Sequence, residues 1–218
     1  MSTNKGEVYF IPTIHKFHQT NPNYSYDSLK TIVARLNPDI IAVEIRPEDL
    51  GQDLTYLSKS YPHEMIMMTS WFPDIKIVGF DWYGDDVEGK LISDDYWNIN
   101  PLKLLEQQLD QDFLYKDRVA LCDARKEERL NILNTSTLEQ LLKSADAEIV
   151  KEHYHCLEIQ FKGTPYEYLY KFSKERDEHI LANINNIIKK NSDKRIVILT
   201  GDDHYQMLKD KFVHKPIY

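Results

Sequence analysis

Histidines, carboxylates and arginines stand in this chain where apolar runs stop. The run 8–14 leads into His15. Asp39-Ile-Ile-Ala-Val43 leads into Glu44 and Arg46, Lys76-Ile-Val-Gly-Phe80 into Asp81, and Arg195-Ile-Val-Ile-Leu-Thr200 into Gly201-Asp-Asp-His204. Imidazole beside carboxylate is the equipment of general acid–base catalysis. The same groups ligate divalent ions, so His15, Glu44 and His204 are also a candidate set for Mn, Co or Zn. No compact motif of the His-Glu-x-x-His kind fixes a metal. An arginine nearby adds a donor for developing negative charge.

These groups meet only if the apolar runs are parallel strands. Their C-terminal ends then share one sheet edge, where open α/β sheets place a ligand crevice. The run 39–45 shows no polar alternation, which is how a strand covered on both faces reads. Between the first two strands, Leu29, Ile32, Val33 and Leu36 repeat at the spacing of one buried helical face. Asn37-Pro38 ends that helix. Residues 50–72 read as a helix with loops, and Met65-Ile-Met-Met68 as core rather than a cofactor site. Residues 82–100 are acidic, aromatic and glycine-punctuated, the pattern of a long loop beyond a strand end, lid or solvated surface alike. Residues 101–159 read as helices, with Leu102, Leu105, Leu109 and Phe113 on one face. Thr164-Pro165-Tyr166-Glu167 reads as a capping box with proline at the first helical position. It opens a helix to about Lys190 whose face holds Leu169, Phe172, Arg176, Ile180, Asn183, Ile184 and Ile187. A final short helix spans 203–212, with Asp202 or Asp203 as its cap. The expected fold is α/β, with α+β as the alternative. It is a mostly parallel sheet flanked by helices, in a single domain over 1–218 with a helical insert or cap at about 101–160.

Arg176 and Asn183 are polar on an otherwise apolar helical face. A guanidinium there needs a partner, because an unpaired buried charge is costly. Glu44 is the candidate. That pair either orients a catalytic group or a substrate anion, or only staples helix to sheet. His204 follows a glycine turn and sits where a helix N-terminus favours anions. His18 is a second histidine in the His15 loop, and His179 lies one position off the Arg176 face, so it is expected exposed. His153-Tyr-His155-Cys156 groups ligand types but reads as surface.

At 218 residues the chain buries a core without staples. With 42% hydrophobic and 28% charged residues it has the balance of a globular protein. The net charge of −8 and the lack of a basic cluster argue against a nucleic-acid partner. No apolar run reaches membrane-span length and no secretory signal is visible, so a cytoplasmic location is expected. Cys122 and Cys156 are then expected as reduced thiols. No nucleophile elbow, phosphate-binding loop or dinucleotide fingerprint is present.

Taken in order, four short motifs resemble the TraB/Tiki/ChaN-like superfamily, which includes erythromycin-esterase-like hydrolases. They are Pro12-Thr-Ile-His15, Pro38-Asp39 leading to Glu44-x-Arg46, Glu175-Arg176-Asp177 with Asn183, and Gly201-x-x-His204. They span nearly the whole chain. The resemblance implies an α/β core with hydrolytic chemistry at the strand ends, in some relatives with a divalent metal. Carried over, His15, Glu44 and His204 are catalytic, with Arg46 and Arg176 supporting. Asp81, Asn183 and Gly201 are further supporting candidates by their places at the strand ends and on the Arg176 face, not by the resemblance. Pro12 stands where the family commonly has glycine, and Ile180 where relatives often have methionine.

The expected function is hydrolysis of an ester, lactone or peptide amide, on a small-molecule or peptide substrate. The alternative is a non-catalytic small-molecule, nucleotide or haem-binding module on the same fold.

Overall fold

The computed structural model describes residues 6–218. Four strands, β1 (Glu7–Thr13), β2 (Ile40–Val43), β3 (Lys76–Gly79) and β4 (Arg195–Gly201), form one all-parallel sheet in the order β1-β4-β2-β3. The fold is therefore α/β, as the unalternated strands require. Every residue of β2 is buried, and so is all of β4 after Arg195.

Helices cover both faces. On one lie α1 (Tyr26–Leu36), α2 (Leu54–Leu57) and α3 (His63–Trp71), with α7 (Lys126–Thr135) and α8 (Leu138–Lys143). Their Leu29, Val33, Met65, Met68, Leu133 and Leu138 pack on Ile11, Ile41, Val197 and Leu199. The Met65–Met68 stripe is thus core. On the other face α10 (Glu167–Lys190) and α11 (Asp202–Leu208) set Ile180, Ile184, Tyr205 and Leu208 on Phe10, Ile40, Ile196 and Ile198. The split is the period-2 alternation of strand side chains. Burying Ile180 and Ile184 completely contributes about 1.5–3 kcal/mol each.

The remaining α-helices are α4 (Tyr96–Ile99), α5 (Pro101–Gln111), α6 (Arg118–Cys122) and α9 (Asp146–Phe161), and a 3₁₀ turn spans His15–Gln19. Leu109 of α5, Phe161 of α9, and Tyr166 and Tyr170 at the head of α10 make a small core of their own.

Four sequence expectations are corrected. Phe113 is 87% exposed, because α5 ends at Gln111 before reaching it. No capping box opens α10. The Thr164 hydroxyl instead donates to the Phe161 carbonyl and accepts from the Tyr166 N–H, closing α9, so α10 begins at Glu167. Neither Asp202 nor Asp203 caps α11, since both carboxylates are drawn to Arg129. Cys122 and Cys156 are joined in a disulfide between α6 and α9 rather than reduced.

Candidate active site

Because all strands run parallel, their C-terminal ends share one edge. Val43 lies beside Leu199, so the chain leaving β2 places Glu44 against the end of β4. Glu44 Oε2 accepts from the Gly201 N–H (2.6 Å) and the Thr200 hydroxyl (2.7 Å). Its Oε1 accepts from Arg176 Nη2 (2.9 Å) and lies 3.6 Å from His204 Nε2. Burial alone pushes a carboxyl upward, but His204, Arg176, His15 and the Thr200 hydroxyl outweigh it and hold Glu44 down at about 2. A Cβ on Gly201 would meet His15 Nε2 at 2.5 Å and Glu44 Oε2 at 3.5 Å. His15 and Glu44 therefore crowd the same side of a residue that carries no side chain.

Asp81, one residue past Phe80 at the end of β3, takes Arg176 in fork fashion. Arg176 Nε donates to Oδ1 (2.9 Å) and Nη2 to Oδ2 (2.8 Å). Oδ1 also accepts the Trp82 main-chain N–H. Burial raises the Asp81 carboxyl and the adjacent Arg176 charge opposes it. Arg176 Nη1 makes no hydrogen bond among the described residues, and the side chain is 22% exposed. One donor is left facing solvent. Removing Arg176 would leave two buried carboxylates facing each other, a loss of about 3–5 kcal/mol by the standard of broken buried pairs.

Two imidazoles flank this centre, each oriented by its own carboxylate. His204 Nδ1 lies 2.6 Å from Asp177 Oδ1, which leaves Nε2 toward Glu44. Burial lowers the His204 imidazole, but Glu44 and Asp177 outweigh it and the net shift is upward. His15 Nδ1 lies 2.8 Å from Glu64 Oε1 on α3. Burial lowers His15 as well, and Glu64 reverses the sign. His15 sits at φ 49°, a left-handed backbone that favours glycine. His18 holds the turn there. It is fully buried, accepts from the Ile14 N–H and donates to the Tyr24 carbonyl, so it is structural. His15 lines a cavity of about 510 Å³ together with Tyr26, His63 and Arg129.

Asp177 and Glu64 were not among the residues expected to act. Asp177 stands in the Glu175-Arg176-Asp177 triplet, where adjacency to Arg176 was the available signal. Glu64 is a lone carboxylate heading an apolar helix, and it is wholly buried.

The structure does not bring Arg46 to this centre. Its guanidinium is spent on Glu48, Asp49 and the carbonyls of Val87 and Lys90, where it ties down the 82–97 loop. Asn183 donates to the Phe80 carbonyl and fixes α10 to the end of β3. His179 is exposed as expected and stacks on Trp82.

The donor set does not suit the divalent ion considered from sequence. Each Glu44 oxygen already accepts from a protein donor, and the place of a cation between Glu44 and Asp81 is filled by Arg176. Among the described residues no group of three or more His, Cys, Asp or Glu side chains is arranged to hold a metal. His153 turns to the Cys122 carbonyl, and the Cys156 sulfur is bonded to Cys122. No helix among the described residues is long and apolar enough to cross a membrane.

No family model and no curated protein matches the chain. A solved structure of an erythromycin esterase mutant, EreC in its open conformation, is similar over 90% of this chain and 60% of its own length. The identity is 12% and the TM-score 0.36, a likeness that assigns neither residues nor activity.

Proposed function

We propose that the chain is a hydrolase that adds water to the carbonyl of an ester, lactone or peptide amide without a metal. One observation carries this reading. Two carboxylate-oriented imidazoles flank a buried, ionised Glu44 and an arginine with one uncommitted nitrogen. His15 is the more exposed imidazole and borders the larger space, so it is assigned as general base. Its Nε2 takes a proton from water as the oxygen attacks the carbonyl carbon. Glu64 stabilises the imidazolium that forms. The oxyanion is met by Arg176 Nη1, and protonated His204, whose nitrogens face Asp177 and Glu44, adds its positive charge beside it. When the intermediate collapses, the carbon–oxygen or carbon–nitrogen bond breaks and the proton returns from His15 to the leaving atom. Glu44, Asp81 and Asp177 are positioning residues that touch Arg176 or His204 rather than substrate. The resemblance of the ordered motifs to erythromycin-esterase-like hydrolases supports the same reading.

The test is hydrolysis of a panel of esters, lactones and peptides with and without chelator. His15→Asn and His204→Asn should each lower kcat/KM by about 100- to 10,000-fold, the usual weight of positioned acid–base groups. Chelator should change nothing. Full activity in both variants would overturn the reading. A binding module on the same fold is favoured by how fully Glu44 is saturated with donors. It predicts ligand-induced melting shifts with no turnover of any substrate in the panel.

A further inference from the structure

We infer that the cavity between residues 82–86 and 168–175 is a subsite for an organic ammonium group, the cationic end of a substrate whose carbonyl lies at Arg176. The second half of that statement rests on the hydrolase reading, and the first does not.

The cavity encloses about 310 Å³. Its apolar lining is mostly aromatic, Trp82, Tyr83, Tyr96, Tyr168 and Phe172, with Pro101 and Leu102 beside them. A cation among aromatic rings is held by their quadrupoles, and most strongly when it sheds water readily, as alkylammonium ions do. Three of these rings are held in place before any ligand arrives. Tyr83 donates to the Ser60 carbonyl and Tyr96 to the Tyr83 carbonyl. Trp82 stacks between neighbours, 4.0 Å from His179 and 5.6 Å from Phe172.

Three carboxylates, Asp85, Asp86 and Glu175, also line it. Among the described residues no cation pairs with any of these carboxylates. Lys174 is taken by Glu158 and Arg176 by Asp81 and Glu44. Lys90 reaches the Asp86 main-chain oxygen, not its carboxylate. All three act on the Tyr168 hydroxyl, which burial and then Glu175, Asp86 and Asp85 push up. The cavity thus joins uncompensated negative charge to aromatic walls. A neutral aromatic ligand would use only the walls, and a bare metal ion only the charge. An alkylammonium uses both. Trp82 supplies an independent mark. It is 8% exposed, and its indole Nε1 is buried without an acceptor among the described residues. A hydrogen-bond acceptor is what that donor lacks.

The subsite abuts the charged centre. The Arg176 guanidinium carbon lies 5.2 Å from the Tyr83 ring centroid, and Trp82 donates its main-chain N–H to Asp81. A ligand here is one residue away from the Asp81–Arg176 fork.

The probe is choline, set against 3,3-dimethylbutan-1-ol, which has the same shape without the charge. Binding to the full chain is read by tryptophan fluorescence at ionic strength matched with sodium chloride. Choline should bind saturably and at least 10-fold more tightly than the alcohol, and more weakly as salt rises. The double variant Asp86→Asn/Glu175→Gln and the single variant Tyr168→Ala should each weaken choline at least 5-fold and leave the alcohol little changed. Equal affinity for the two probes, or no saturation by choline, would overturn the subsite. Because no turnover is needed, a chain that binds choline and hydrolyses nothing counts against the hydrolase reading alone.

Discussion

A carboxylate buried as deeply as Glu44 stays ionised only where donors and cations outweigh what desolvation takes away. His204, Arg176, His15 and the Thr200 hydroxyl do so here, beside the Gly201 N–H bond, and the sign of the linkage follows. Its folded value of about 2 lies below the ordinary 4.5, so its contribution to stability is complete above about 4.5 and is lost as pH falls toward 2. His204 runs the other way. Its raised value means that its contribution is complete below the ordinary 6.5 and fades as pH rises through the folded value. His15 is raised too, and as a base it must be neutral to act. Activity should therefore climb with pH along an acidic limb that lies above 6.5. Burial lowers this imidazole, and the Glu64 hydrogen bond and charge reverse the shift, so Glu64→Gln should move the limb to lower pH. A kcat/KM profile across pH 5–9 checks it (roughly the range in which histidines titrate), and a limb that stays in place would remove His15 from the role of base. At this scale the sequence was informative where polarity broke an apolar pattern. That signal marked His15, Glu44, Asp81, Arg176 and His204, and the structure places all of them at one edge. It failed for Glu64, whose helical neighbours show no contrast until the tertiary fold brings His15 to it. It also failed for Arg46, where strand-end position was right but the guanidinium turned to the loop.

The elements are legible in proportion to how much of their pattern is burial. β2 and β4 read as continuous apolar runs because both faces are covered, and α1 and α10 show one stripe each. Boundaries set by local hydrogen bonds were harder, as at Thr164, whose hydroxyl serves the preceding helix. One boundary bears directly on the site. Where β3 ends, a Cβ on Gly79 would stand 2.4 Å from the Ile45 carbonyl oxygen and 3.1 Å from the Arg46 carbonyl carbon. Both are backbone atoms of the segment that follows Glu44, and they cannot swing aside as a side chain would. Gly79→Ala should push this segment away from β3, at a cost of about 1–3 kcal/mol typical of overpacking. Turnover should fall as well, since small misplacements of positioned groups are expensive. Gly51→Ala is the matched control, because a Cβ there meets nothing within 4 Å. Its unfolding free energy should stay within about 0.5 kcal/mol of the parent. Denaturant melts of the two variants decide the point, and equal losses would show that the close approach at Gly79 does not matter.

Across the whole molecule the sheet and the helices of residues 101–161 are coupled through α9 and α11. Arg129 on α7 binds Asp146 at the start of α9 and Asp202 and Asp203 at the start of α11. Gln206 Nε2 donates to both Asp146 and Asp202, and Tyr154 donates to Asp203. His204 belongs to the same helix, so its orientation depends on how α9 is seated. Charge run and helical period revealed none of this, since the residues lie far apart in sequence and each looks like solvated surface. The disulfide runs against the expectation of reduced thiols because that expectation rested on the number of cysteines and on the lack of a visible secretory signal, and only packing of α6 on α9 brings the two sulfurs together. Cys122–Cys156 closes a loop with a sequence separation of 34. Loops of that length confer about 2–4 kcal/mol, mainly by restricting the unfolded chain. For a chain of this size each kcal/mol moves the melting temperature by about 2–4 °C. Reduction, or Cys122→Ser with Cys156→Ser, should thus lower the melting temperature by about 4–16 °C. The loss should fall on α6 and α9 first. Amide exchange would accelerate there and around Tyr154 while β2 and β4 stay protected, because their burial does not involve the bridge. Melting that is indifferent to reductant would mean that the two sulfurs are not joined in solution, and α9 would then be held by Arg129 and its carboxylates alone.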